Sequence, residues 1–280
     1  MNSLKTVGLL AFMTALLFWL AYELGGGIWV AIGIAVVFNL IAYFFSDKIA
    51  LATTRAKPVT EQELPQVYAI VRRLTTATSM PMPKIHVINS PQPNAFATGR
   101  NPDKAAVAVT TGILEVLNHD ELEGVLAHEL AHVRNRDILI SSIAAMLGAA
   151  ISIVARMAFW TGGTNSRNNP LGAIGSLLSL IIAPLAAMLI RFAISRTREF
   201  QADASGAEIT GQPLHLARAL EKIAAGAERI PMRVNPATSQ LFIENPLKAF
   251  RGGGISRLFS THPPTEERVE RLTNMAMGIR

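Results

Sequence analysis

Four stretches of this chain carry no charged side chain: Thr6–Tyr22, Ile28–Phe45, Ile138–Ala155 and Pro170–Ile190. Each has about the 17–25 residues that a helix needs to cross a bilayer. With hydrophobic residues at 50% of the chain, this is too apolar for an ordinary soluble domain. The first stretch is too long for a signal peptide, lacks a small-x-small cleavage site and is followed almost at once by the second. A helical hairpin turning at Gly25-Gly26-Gly27 is expected there, and a second hairpin from the later pair.

The basic residues orient these hairpins. Lys and Arg occur at Lys5, densely through 48–136, and again from Arg191 onward; the 23–27 turn has none and the 156–169 loop only Arg156 and Arg167. The positive-inside rule then places both termini and the 46–137 segment in the cytoplasm. The expected organisation is a membrane hairpin over 1–45, a soluble piece over 46–137, a second hairpin over 138–190 and a second soluble piece over 191–280. Both soluble pieces face the same side and can assemble into one domain. The net charge of +6 reads as topology and contact with anionic lipid. No nucleic-acid-binding motif accompanies it. The chain has no cysteine, which excludes disulfides, thiolate ligands and a cysteine nucleophile.

The soluble part holds His128-Glu129-Leu130-Ala131-His132. Positions i and i+4 share a helix face, so both imidazoles can reach one metal ion. Glu129 is rotated about 100° from His128, close enough to meet a metal-bound water without being a ligand. Asn118 and Glu121 form a capping-box pattern at the start of this helix, and Leu122, Val125, Leu126 and Leu130 give it an apolar stripe. Both histidines therefore lie well inside a helix.

Around this helix the periodicity predicts a helix over Glu61–Ala77, a short strand at Ile85–Ile88, and extended stretches at Asn94–Thr98 and Ala105–Thr110. Asn94, Ala95, Phe96 and Ala97 read equally well as a structural strand or as an edge that binds an extended peptide by strand addition. Arg134, Asn135, Arg136 and Asp137 lead into the third span and are expected at the lipid headgroups.

A catalytic zinc usually has three protein ligands and one open position. A third histidine close by would fall at position 138, which is Ile138. Glu199, just after the fourth span, is the best-placed alternative, because Asp203 one turn on could accept a hydrogen bond from a ligating imidazole. Glu208 and Glu221 have no acid at i+4. The expected chemistry is attack of a zinc-activated water on a peptide carbonyl, with Glu129 as general base. His86, His119 and His215 read as structural or exposed. His262, in Thr261-His262-Pro263-Pro264 before an expected helix at Thr265–Ala276, could donate a hydrogen bond to an oxyanion.

These motifs in this order, His128-Glu129-x-x-His132, Glu199-x-x-x-Asp203, Asn94-Ala95-Phe96-Ala97 and Thr261-His262-Pro263-Pro264, resemble the HtpX-type membrane zinc metalloproteases. These are gluzincins related to the CAAX prenyl proteases. The resemblance covers essentially the whole chain. It implies a mainly α fold with a small β-sheet: four transmembrane helices and a gluzincin-like cytoplasmic zinc-peptidase domain. It also implies a Zn2+ endopeptidase of the bacterial inner membrane, acting on misfolded or damaged membrane proteins under stress alongside an AAA-type membrane protease. His128, His132 and Glu199 correspond to the ligands and Glu129 to the general base. Asp203 corresponds to the residue behind the ligands, His262 to the transition-state stabiliser and Asn94–Ala97 to the substrate-aligning strand. The Pro-, Gly- and Asn-rich segment 228–257 is expected to form a lid over the cleft or a loop.

Rival readings fare less well. An intramembrane protease would not tolerate Asp120, Glu121, Glu123, Arg134 and Arg136 around its motif. A prenyl-protein protease would typically have more spans. A non-catalytic scaffold would have lost a ligand or base, and none is missing.

Overall fold

Successive side chains of a strand point to opposite faces of a sheet, and here each face meets a different core. Ile85, Val107 and Val109 enter one buried cluster; Ile88, Phe96 and Ala108 enter another. The computed structural model describes residues 27–146, 196–232, 234, 238–249 and 263–279, with scattered positions between 7 and 18. Its sheet is made of β1 (Lys57–Pro58), β2 (Lys84–Ile88), β3 (Ala95–Thr98) and β4 (Ala106–Thr110), in the order β1-β2-β4-β3. The β2–β4 pair is parallel and the other two pairs are antiparallel. β3 is thus an edge strand, as one sequence reading expected. β1 is too short to leave a periodicity in the sequence.

The helices described from end to end are α1 (Gly27–Thr53), α2 (Pro65–Ala77), α3 (Thr111–Val116), α4 (His119–Arg134), α5 (Arg196–Thr210), α6 (Pro213–Arg229) and α7 (Thr265–Ala276). The fold is mainly helical around a small mixed sheet. α2 begins at Pro65 rather than Glu61. Proline suits the first turn of a helix, and the residues ahead of it form a turn in which Thr60 N donates to Glu63 Oε2 at 2.6 Å. α7 spans the residues expected of it.

One face of the sheet packs on α2, α4 and α6. Val67, Ile70 and Leu74, then Leu122, Leu126 and Leu130, then Leu216 and Ile223 close this core. Each such fully buried side chain contributes about 1.5–3 kcal/mol. The other face closes on Ala50 at the end of α1, on Ala145, and on Phe242, whose ring meets Phe96 edge-to-face at 5.1 Å.

Among the described residues, α1 is the one helix long and apolar enough to cross a membrane, with a mean hydropathy of 2.3 over its most apolar window. It contains the expected second span and continues past it to Thr53. Trp29, Val36, Leu40 and Phe44 stand exposed along it, a surface too apolar to face water at that length. Most of the expected first span, the end of the third from residue 147 and all of the fourth lie outside the described residues; 138–146 is helical.

Candidate metal centre

α4 begins with the capping box that its sequence announces. Asn118 Oδ1 accepts from Glu121 N at 2.9 Å, and Glu121 Oε2 accepts from Asn118 N at 3.0 Å. The helix then runs through the core, and α5 crosses it at a glycine. A Cβ on Gly206 would sit 2.9 Å from the backbone nitrogen of His128, so only glycine permits this approach. The close crossing carries Glu199 and Asp203, two turns and one turn earlier in α5, to the face of α4 that bears the histidines.

There the side chains converge. Nε2 of His132 lies 3.5 Å from Glu199 Oε1, and Nε2 of His128 lies 3.9 Å from Glu199 Oε2. One ligand atom from each of His128, His132 and Glu199 falls within 4.8 Å of the others. Ligands about 2.0–2.1 Å from a tetrahedral zinc stand roughly 3.3 Å apart, so the set needs little adjustment to hold that ion. Two nitrogens and one carboxylate oxygen also match the donor chemistry of a catalytic zinc. The exposed side chains of Glu208 and Glu221 take no part.

Both outer ring nitrogens are engaged, which turns the Nε2 atoms toward Glu199. Nδ1 of His128 lies 2.9 Å from Asp203 Oδ1, and Nδ1 of His132 lies 3.4 Å from Asp137 Oδ2. The second contact corrects the expectation that Asp137 lies among lipid headgroups. The chain turns through Arg136 at a φ of 58°, and Asp137 N donates back to His132 O at 3.0 Å, which tucks the carboxylate inward, 3% exposed.

Arg268 of α7 is a participant that the sequence reading missed. It is 1% exposed. Its Nε and Nη2 donate to the two oxygens of Asp203 at 2.8 and 2.6 Å, and Nη1 donates to Ile243 O at 3.1 Å. Burial by itself would raise the Asp203 pKa, but Arg268, helped by His128, holds it at about 2. The available signal was the lone arginine at the buried position of a charge-rich amphipathic helix, four residues before Leu272.

Glu129 is buried beside the pair. Its Oε2 accepts from Ala97 N at 2.8 Å, so the edge strand and the glutamate are joined directly. Burial pushes its carboxyl above the usual range, Glu199 adds to the shift, and the two imidazoles oppose it. For His132, burial favours the neutral ring, but Glu199, Asp137 and Glu129 outweigh it and raise the pKa to about 9.

Asn94 and Ala95 meet the chain's own segment instead of solvent. Asn94 Nδ2 donates to Glu244 O at 2.8 Å, and Ile243 N donates to Ala95 O at 3.0 Å. Phe96 points into the opposite core. Gln240–Ile243, from the segment expected as lid or loop, line a cavity of about 30 Å³ together with His128, Glu129, His132 and Glu199, room for water rather than for a peptide. His86 is buried on β2, His119 and His215 lie away from the cavity, and His262 lies outside the described residues.

A helix carrying two histidines and a glutamate, facing a carboxylate on another helix, is the donor arrangement that zinc peptidases use. The chain belongs to peptidase family M48, whose sequence profile matches residues 61–276; it is a metalloprotease. Proteins named protease HtpX homolog are 50% identical to it: from Pelotomaculum thermopropionicum over 99% of this chain and 100% of the relative, and from Syntrophobacter fumaroxidans over 97% and 98%. A third, from Thermococcus sibiricus, is 50% identical over 99% and 97%. Among solved structures, the crystal structure of S. mikatae Ste24p aligns at a TM-score of 0.50 and 21% identity, over 94% of this chain and 65% of that one. At that identity the likeness concerns the fold.

Proposed function

We propose that this protein is a zinc-dependent endopeptidase of the bacterial inner membrane that cleaves misfolded or damaged membrane proteins at the cytoplasmic face. The reading rests on one observation above all: His128, His132 and Glu199 converge within 4.8 Å, with Glu129 buried beside them. His128 Nε2, His132 Nε2 and Glu199 would hold the ion. The chemistry zinc supplies when bound is acidification of a water, to a pKa of about 7, and polarisation of the scissile carbonyl.

The remaining work falls to the chain. Glu129 Oε2 takes the proton of the attacking water and delivers it to the leaving amine, a task suited to its raised pKa. Asp203 and Asp137 hold the imidazoles by their Nδ1 atoms, and Arg268 fixes Asp203. The outward carbonyls of Ala95 and Ala97 on β3 align an extended substrate, which must displace Ile243 N from Ala95 O, while Ala97 N stays with Glu129. On the sequence resemblance, His262 contributes an oxyanion donor. The bilayer and an AAA-type membrane protease are the proposed working partners.

The test is Glu129→Gln in the purified full chain, with bound metal and casein cleavage measured side by side. The variant should keep the metal and lose cleavage, whereas His132→Ala should lose both. Unimpaired proteolysis by Glu129→Gln would rule out the assigned base.

A further inference from the structure

Where α1 emerges from its apolar stretch, a cavity of about 650 Å³ opens between the helix and the sheet. Lys48 of α1, Lys84 of β2, and Arg100 and Lys104 from the β3–β4 connection line it. Asp47 and Asp103 line it too, yet among the described residues neither is in ion-pair contact with any of the four cations. The cavity therefore presents a surplus of unneutralised positive charge at the point where a membrane surface would lie. Lys48 sits over the Phe45 ring and Arg100 over the Phe44 ring, each at 5.2 Å, which holds the cationic groups against the aromatic end of the apolar stretch.

His86 of β2 lies beside these cations. Its side chain lines the same cavity and is 7% exposed, yet Nδ1 has no hydrogen-bond partner. The cavity continues onto the exposed apolar side of α1, where Leu40, Ile41 and Phe44 are 52%, 40% and 46% exposed. A soluble anion has no use for that track; acyl chains do.

We propose that this cavity is a headgroup site for one anionic phospholipid, its phosphate held by Lys84, Arg100 and Lys104 and its acyl chains lying along α1. The site lies on the sheet face opposite the α4 core. It rests on the reading that α1 lies in a bilayer.

Native mass spectrometry of the full chain, released from micelles holding phosphatidylglycerol and phosphatidylcholine together, tests it. One phosphatidylglycerol should be retained per chain in preference to phosphatidylcholine. Lys84→Gln with Arg100→Gln should cut that retention about tenfold or more, at about 1 kcal/mol per cation near a lipid surface. Arg72→Gln with Arg73→Gln, on α2, should leave it unchanged. Lys104→Glu, at an exposed loop position where refolding is not at stake, should act in the same direction as the first pair. Equal retention of the two lipids, or no effect of either cavity variant, overturns the proposal. So does saturable binding of inorganic phosphate with no retained lipid, which would make this a soluble-anion site. Flotation with vesicles of phosphatidylcholine alone separates the two readings: a chain that floats but retains no phosphatidylglycerol loses only the headgroup site. A chain that floats with no vesicle loses the membrane reading as well.

Discussion

Arg268 grips Asp203 with two parallel hydrogen bonds, and Asp203 in turn lies 2.9 Å from Nδ1 of His128. The last helix of the chain is thereby connected through a buried ion pair to the first histidine of the motif. Removing one partner of such a pair leaves an uncompensated buried charge and costs about 3–5 kcal/mol. Arg268→Ala should therefore lower the thermal midpoint by roughly 6–20 °C. Asp203→Asn keeps the shape and should weaken zinc binding about 10–100-fold. Calorimetry and zinc competition against a fluorescent chelator read the two effects; wild-type values for both variants would remove Arg268 and Asp203 from the account.

The metal-free chain should bind zinc more tightly as pH rises. His132 has its pKa raised to about 9, so below that pH a proton occupies the ring that the ion needs. The proton's contribution to the stability of the metal-free fold is full below the ordinary histidine value of 6.5 and is lost as pH climbs through about 9. Zinc affinity should accordingly improve about tenfold per pH unit between pH 7 and 9. Chelator titrations across that range check it, and a flat profile would contradict it.

Much of this site could be read from the sequence because its chemistry follows helical spacing. His128 with His132, and Glu199 with Asp203, are each four apart on one helix, and the capping box at Asn118 fixes where α4 begins. What escaped depends on tertiary placement. Arg268 looks like one more surface charge among Glu266, Glu267, Glu270 and Arg271 until α7 is seen packed on α5 and α6. Asp137 looks like a headgroup residue until the left-handed turn at Arg136 points it at His132. Gly206 gives no hint of its partner, because a mid-helix glycine does not say which backbone comes close.

Gly206→Ala probes that crossing. The added Cβ would stand 2.9 Å from His128 N, against backbone that has no flexible end to yield. Overpacking of this kind costs about 1–3 kcal/mol, and the displaced α5 should carry Glu199 away from the histidines. Both thermal stability and zinc affinity should fall together. A variant with full zinc affinity would show that the close approach does not position Glu199.

Ala97→Pro removes the N–H that Glu129 accepts while preserving a small apolar side chain at the edge of the sheet. Bound zinc should stay near the wild-type level, and kcat should drop about tenfold or more, as for a loosened general base. The measurement is metal content together with steady-state peptide cleavage; full metal with an unchanged kcat would show that the Ala97 N–H does not position Glu129.

The most direct measurement is metal analysis of Glu199→Ala beside the wild-type full chain, both purified without chelator and equilibrated with limiting zinc. The wild type should hold one zinc per chain and the variant almost none, its folding confirmed by circular dichroism. A folded Glu199→Ala chain that retains a full equivalent of zinc would mean that the α5 carboxylate is no ligand and that the centre is built some other way.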